Sequence, residues 1–85
     1  MASVFVQDVE EFAALRDQLA ACPGVEGRRL RAHYEYRFDD EVVVDRKAAG
    51  LRHALWYSCV AGLSDARIAQ HDKNRLRVVA TSSGD

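Results

Sequence analysis

The chain has 85 residues, a length that suits one domain with a single core. Hydrophobic residues make up 48% and charged residues 29%, and the net charge of −1 does not indicate a nucleic-acid or membrane-surface binder. The sequence has no apolar run long enough to span a bilayer, no signal-peptide pattern, and too few cysteines for a disulfide framework. We therefore expect a cytoplasmic protein with reduced thiols and no membrane partner.

The first elements in chain order are a strand and a helix. Val4 and Val6 share one parity within residues 2–6, which predicts a short strand with one apolar face. Asp8 followed by Glu11 matches a capping box, so we expect a helix over about residues 9–21. The apolar positions of that helix recur at helical spacing and should face the core: Val9, Phe12, Leu15 and Leu19.

Pro23 and Gly24 end this helix, and Val25 leads into the most regular segment of the chain. Residues 28–38 alternate between apolar and charged, which predicts one long strand with a buried face and a mostly cationic face. A helix that closes on Pro-Gly-Val before a strand resembles the same junction in ferredoxin-like folds. The resemblance covers this junction only.

A turn and a second helix follow. A three-residue loop at residues 39–41 would form a hairpin with Phe38 opposite Val42. Asp45 is a suitable N-cap for a helix over about residues 46–61.

Gly62 is the expected end of the second helix. Residues 66–70 and 75–80 then predict a second hairpin around the turn at residues 71–74. In its last strand the apolar residues alternate with arginines, which indicates one buried and one exposed face.

This order of elements predicts an α+β fold. We expect an antiparallel sheet of four to five strands with two helices on one face, in a ferredoxin-like or related arrangement. Residues 1–80 form the single domain of this prediction, and residues 81–85 form a flexible tail.

The second helix of the prediction has more apolar circumference than one sheet can cover. Five residues lie on the arc that faces away from the sheet, and we call them the aromatic arc: Arg52, His53, Trp56, Tyr57 and Val60. Tryptophan is enriched at binding hot spots, so we expect a small non-catalytic protein-binding or regulatory module that homodimerises, or binds another protein, through this arc. In the alternative, the first helix covers the arc and Trp56 belongs to the core.

Basic residues gather on the outward parity of the predicted strands. We call this set the basic sheet face: Arg29, Arg31, His33, Arg37, Arg75 and Arg77. Such a face suits a nucleic acid or an acidic partner. Sheet-based single-strand binders expose aromatic residues, whereas Tyr34 and Tyr36 have the buried parity here, so nucleic acid is not the favoured partner.

Catalytic and metal-binding signals are weak. The cysteines and histidines lack paired ligand spacing, which predicts no metal and no cofactor. No phosphate loop or nucleophile elbow is present, so an enzyme is not favoured. The remaining hypothesis is a small enzyme or ligand-binding domain with a pocket between helices and sheet that uses His53 or His33.

Overall fold

Two antiparallel sheets carry the fold in the computed structural model, which describes residues 2–81. The strands, in chain order, are β1 Ala2–Gln7, β2 Glu26–Arg29, β3 His33–Phe38, β4 Glu41–Asp45, β5 Gly62–Ser64, β6 Ala66–His71 and β7 Arg75–Ala80. The first sheet has the order β2-β3-β1-β5, and the second has the order β4-β7-β6. The α+β class is confirmed, with the strands divided between two sheets instead of one.

Three helices connect these strands. A 3₁₀ turn, Glu10–Phe12, leads into α1, Ala13–Ala21, and two single-turn helices follow β4: α2, Arg46–Ala49, and α3, His53–Trp56. α1 lies against α2, β4 and the β2–β3 pair. Among residues 2–81, none of these helices has the length and apolar character needed to cross a membrane.

The core lies between the sheets and under α1. Its members come from every part of the chain and are at most 4% exposed: Ala2, Val4, Val6, Phe12, Leu15, Leu19, Tyr36, Phe38, Val42, Val44, Ala49, Leu51, Trp56, Cys59, Leu76 and Val78. The inward stripe predicted for the first helix is confirmed at Phe12, Leu15 and Leu19. The prediction for Val9 is wrong, because this side chain is 40% exposed at the 3₁₀ entrance to the helix.

The long strand predicted over residues 28–38 is wrong. The chain turns at residues 30–32, and β2 and β3 form a hairpin in which Arg29 lies opposite Tyr34. The Leu30 amide donates to the His33 carbonyl at 2.8 Å, and the Asp8 amide holds the Ala32 carbonyl at 2.9 Å. Alternation continues without a break across the turn, so the sequence pattern did not reveal it.

The hairpin predicted around residues 39–41 is also wrong. β3 and β4 belong to different sheets, and Val42 pairs with Val78 of β7 instead of with Phe38. The Ala80 amide donates to the Asp40 carbonyl at 2.8 Å, which fixes the corner between the two sheets. Phe38 and Val42 therefore both reach the core without facing each other across one ladder.

The second helix is far shorter than predicted. Asp45 does cap it, since its carboxylate accepts from the Ala48 amide at 3.0 Å. The helix then ends at Gly50, which has a left-handed φ of 67°, instead of at Gly62. Leu51 packs into the core from the extended segment that follows.

The last hairpin is confirmed. β6 and β7 pair around residues 72–74, with a bulge in β6 between Ile68 and Gln70. Leu76 and Val78 are buried, and Arg75 and Arg77, which alternate with them, are exposed. The predicted tail lies outside the described residues except for Thr81, whose amide donates to the Asp65 carbonyl at 2.9 Å.

Candidate functional site

A groove runs between α1 and the hairpin of β2 and β3, and we call it the β2 groove. It encloses about 350 Å³. Its walls are the exposed side of α1 and the α1-facing side of β2, with two tyrosines of β3 as the floor: Ala13, Arg16, Asp17, Ala20, Gly27, Arg28, Arg29, Tyr34 and Tyr36. It occupies the place between helix and sheet where the sequence placed a pocket, although neither His53 nor His33 lines it.

Small residues keep the groove open. Ala13 and Ala20 lie two turns apart on α1, and neither side chain reaches across to β2. On the opposite wall, Gly27 lets the ring of Tyr36 lie flat against the strand. A Cβ at position 27 would lie 2.9 Å from Cε1 of Tyr36, so another side chain would displace the ring.

The floor of the groove is an aromatic stack. Tyr34 and Tyr36 stack with centroids 6.2 Å apart, and the guanidinium of Arg16 lies 4.9 Å from the centre of the Tyr34 ring. Burial raises the pKa of Tyr36 to about 12, so its hydroxyl stays protonated at neutral pH. Tyr36 therefore contributes an uncharged ring to the floor of the groove.

Asp8 links the two walls of the groove. Its carboxylate lies 2.8 Å from Arg29 and 3.7 Å from Arg16. Arg16 also donates to the carbonyls of Gln7 and Val9, which fixes its position. The capping box predicted at Asp8 does not form, because this carboxylate serves ion pairs and the 3₁₀ turn, as described, has no side-chain cap.

The opposite face of the hairpin is built around a buried carboxylate. Glu35 accepts from the hydroxyl of Ser3 and from Nε of Arg28, each at 2.7 Å. The hydrogen bond from Ser3 and the bond and charge of Arg28 together lower the pKa of Glu35, although desolvation opposes them. The Arg28 side chain remains 63% exposed, so it keeps donors for a second partner.

The outer edge of β2 has no strand partner among residues 2–81. Hydrogen bonds alternate along an antiparallel pair, and the bond from Leu30 to His33 sets the phase. Arg28 and Glu26 then bond to β3, while the backbone groups of Gly27 and Arg29 point away from it. The β2 groove thus ends at a row of available donors and acceptors.

The other sheet edges are protected. The amide side chain of Gln18 pairs with both the N–H and the C=O of Asp45, at 3.0 Å each, and so covers the edge of β4. β5 has only three residues, and the bulge after Ile68 interrupts β6. Short edges and bulges are the usual protections against further pairing. β2 is also short and charged, with four residues, but it has no bulge, and the backbone groups of Gly27 and Arg29 have no strand partner within the described chain.

The basic sheet face does not form one surface. Arg29 turns to the groove and Asp8, and Arg31 lies in the turn. His33 and Arg37 remain on the outer face of β3, whereas Arg75 and Arg77 lie in the second sheet. Arg77 pairs with Glu41 at 2.7 Å. The turn at residues 30–32 reverses which β2 residues share a face with β3, so Arg29 lies on the side of Tyr34 instead of the side of His33 and Arg37.

The aromatic arc is also divided. Trp56 is 0% exposed, and its indole N–H donates to the Asp72 carbonyl at 2.6 Å. Val60 packs against the core, while Arg52, His53 and Tyr57 stay exposed, the last at 51%. The ring of Tyr57 lies beside the ring of His71, with centroids 4.9 Å apart. Trp56 therefore belongs to the core, as in the alternative, but the β6–β7 hairpin covers it instead of the first helix.

A second cavity of about 300 Å³ lies at the other end of the first sheet. Its lining is mostly apolar and includes one predicted residue, His33: Phe5, Leu30, His33, Ala61, Gly62 and Leu63. No cluster of three or more His, Cys, Asp or Glu residues within residues 2–81 is arranged to hold a metal ion.

Sequence reasoning missed the β2 groove because small residues form it. Ala13, Ala20 and Gly27 act by leaving space, and such positions give no chemical motif. The available signal was Gly27 inside a strand pattern, which marks a bulge or a close approach. A scan of family models and searches of curated proteins and of solved structures find no match to this chain.

Proposed function

We propose that this protein is a protein-binding module that takes up an extended segment of a partner as an additional strand on β2. The single observation that carries the proposal is that an uncovered strand edge lies directly beside a groove. Backbone groups along such an edge supply affinity, and side-chain pockets beside it supply selectivity.

The backbone part of the site is already in binding geometry. Gly27 and Arg29 offer their N–H and C=O groups in the spacing of a ladder, on a strand held by β3 and by the ion pair to Asp8. A partner segment would therefore order itself against a strand that does not need to rearrange. Preorganisation of this kind reduces the entropic penalty of binding.

The side-chain part of the site lies on the α1 side. A residue opposite Gly27 on the added strand would project over a position that has no side chain, toward the ring of Tyr36. The next residue on the same side would meet Arg29. The groove thus favours a large apolar or aromatic side chain followed or preceded, two positions away, by an acidic one.

Two expectations from the sequence, self-association and a cytoplasmic setting, stay proposals. Self-association is carried over from the aromatic arc to β2 and is developed below. A cytoplasmic setting is supported by the free thiols of Cys22 and Cys59.

The test uses a display library of random twelve-residue peptides against three purified proteins: the wild type, Arg29→Pro and Arg29→Ala. Proline removes the outward N–H at position 29, which β3 does not use, and its ring blocks strand addition. Alanine removes the same side chain but keeps the N–H, so it is the matched control. We expect the wild type to select peptides whose binding is weakened by Arg29→Ala, which removes only the contact to the acidic residue, and is lost in Arg29→Pro.

Circular dichroism establishes that both variants are folded. Amide shift mapping of the wild type with its best peptide gives an independent measurement, with changes expected at residues 26–31. Equal peptide binding by Arg29→Pro, shift changes centred elsewhere, or no selected peptide would each contradict the proposal.

A further inference from the structure

The segment that is added to β2 has so far no identity, and the sequence of β2 is itself suited to this place. We infer that the segment added to β2 is the β2 strand of a second copy of this chain, in an antiparallel pair centred on Gly27. This inference rests on the proposed function, because it uses the same edge and groove.

The hydrogen-bond phase restricts the registers that two copies can adopt. A two-fold axis must place residues whose backbone groups face outward opposite each other. Gly27 and Arg29 are those residues. Three symmetric registers within β2 meet this condition. Gly27 lies opposite Gly27, or Arg29 lies opposite Arg29, or Gly27 lies opposite Arg29 with Arg28 on the axis.

Charge selects among these registers. A centre at Arg29 places like charges opposite each other, and pairing Gly27 with Arg29 places Arg28 opposite its own copy; both arrangements are destabilising. A centre at Gly27 places Arg28 of each copy opposite Glu26 of the other. That register therefore forms two opposite-charge pairs on the outer face.

Both members of each pair have capacity for the new contact. Glu26 is exposed and forms no ion pair with another residue of the described chain. Arg28 engages Glu35 through Nε, and its side chain is 63% exposed. Across the centre, the two Gly27 residues exchange N–H···O=C bonds, and no side chain at this position obstructs their approach.

The flanking pair is compatible with the same register. Arg29 of one copy would face Val25 of the other, where the Val25 N–H already donates to the Cys22 carbonyl at 3.2 Å. The Val25 carbonyl of that copy would accept from the outward Arg29 amide of the first. The result is one continuous eight-stranded sheet with both copies of α1 on the same face, above the two joined grooves.

Sedimentation equilibrium tests the inference on the wild type, on Glu26→Arg, and on Arg28→Glu combined with Glu35→Gln. The last substitution leaves no carboxylate at position 35 to face the new one at position 28. We expect the wild-type mass to rise with concentration from 9.5 kDa toward twice that value. Each variant alone should dimerise at least roughly tenfold more weakly than the wild type, since two attractive pairs become repulsive.

An equimolar mixture of the two variants should regain association, because every pair across a mixed dimer is again of opposite charge. A mixture that associates no better than either variant alone would overturn the register. A wild type that stays at 9.5 kDa, while selected peptides still discriminate Arg29→Ala from Arg29→Pro, would overturn the inference and leave the proposed function standing. Loss of both results would overturn both.

Discussion

Replacement of Trp56 gives the sharpest separation between a core residue and a surface anchor. The indole is 0% exposed, its N–H donates to the Asp72 carbonyl at 2.6 Å, and the ring of His71 meets it edge-on with centroids 5.2 Å apart. Trp56 thereby fastens α3 to the turn between β6 and β7. Its own carbonyl lies 3.0 Å from Nε2 of His71, which adds a second link to the same hairpin.

The magnitude follows from this burial. Truncation of a buried tryptophan to alanine destabilises a core by roughly 3–5 kcal/mol. A domain of this length has a free energy of unfolding of roughly 4–13 kcal/mol, at 0.05–0.15 kcal/mol per residue. We therefore expect Trp56→Ala to remove a large part of the stability. Trp56→Phe keeps most of the apolar volume but loses the hydrogen bond, at about 1 kcal/mol, plus the packing of the second ring.

Urea unfolding followed by far-ultraviolet circular dichroism measures both variants without relying on the indole as a probe. Tyr57→Ala is the matched control, since it removes a neighbouring aromatic ring that is 51% exposed and should change stability by less than about 1 kcal/mol. A Trp56→Ala protein as stable as the wild type would refute the core assignment. So would a native indole that acrylamide quenches as readily as free tryptophan.

Three further predictions follow from the turn, an edge and the groove. Hydrogen bonds from Gln70 and from the amides of Asn74 and Arg75 lower the pKa of Asp72 from 3.8 to about 2, so this carboxylate stabilises the fold above pH 3.8 and its contribution disappears as the pH falls through about 2. In urea unfolding at a series of acid pH values, the stability difference between the wild type and Asp72→Asn should therefore shrink over that interval. A constant difference would contradict this prediction. Gln18→Ala uncovers the edge of β4 and should increase concentration-dependent aggregation on light scattering, whereas Gln70→Ala, which leaves that edge covered, should not. Gly27→Ala should destabilise the protein by roughly 1–3 kcal/mol because its Cβ meets the Tyr36 ring at 2.9 Å, and a neutral effect in thermal unfolding would argue against the flat packing of that ring.

Much of the fold follows from local pattern. Three elements are identified by a pattern that lies within their own residues. These are the strand with Val4 and Val6 on one face, the helix with Leu15 and Leu19 at helical spacing, and the hairpin with turn residues around Asp72. The cap at Asp45 is also readable, because capping depends on residues within one turn.

The errors arise where tertiary contacts decide between local alternatives. The turn at residues 30–32 has no glycine or proline, and it is held by the amide of Asp8, which lies in a distant part of the sequence. The segment after Gly50 is apolar enough for a helix, yet Leu51 and Cys59 reach the core from irregular backbone. Apolar residues in such a run are buried without helical spacing, so periodicity gave the wrong element and the aromatic arc with it.

Amide hydrogen exchange along β2 measures whether its outer edge is open and whether an added strand covers it. In the monomer at low concentration, we expect fast exchange at Gly27 and Arg29 and slow exchange at Arg28 and Leu30, whose N–H groups bond to β3. At high concentration, or with a selected peptide, the first two amides should become protected as well. Slow exchange at Gly27 and Arg29 in the dilute monomer, or no change at saturation, would contradict an open edge that receives a strand.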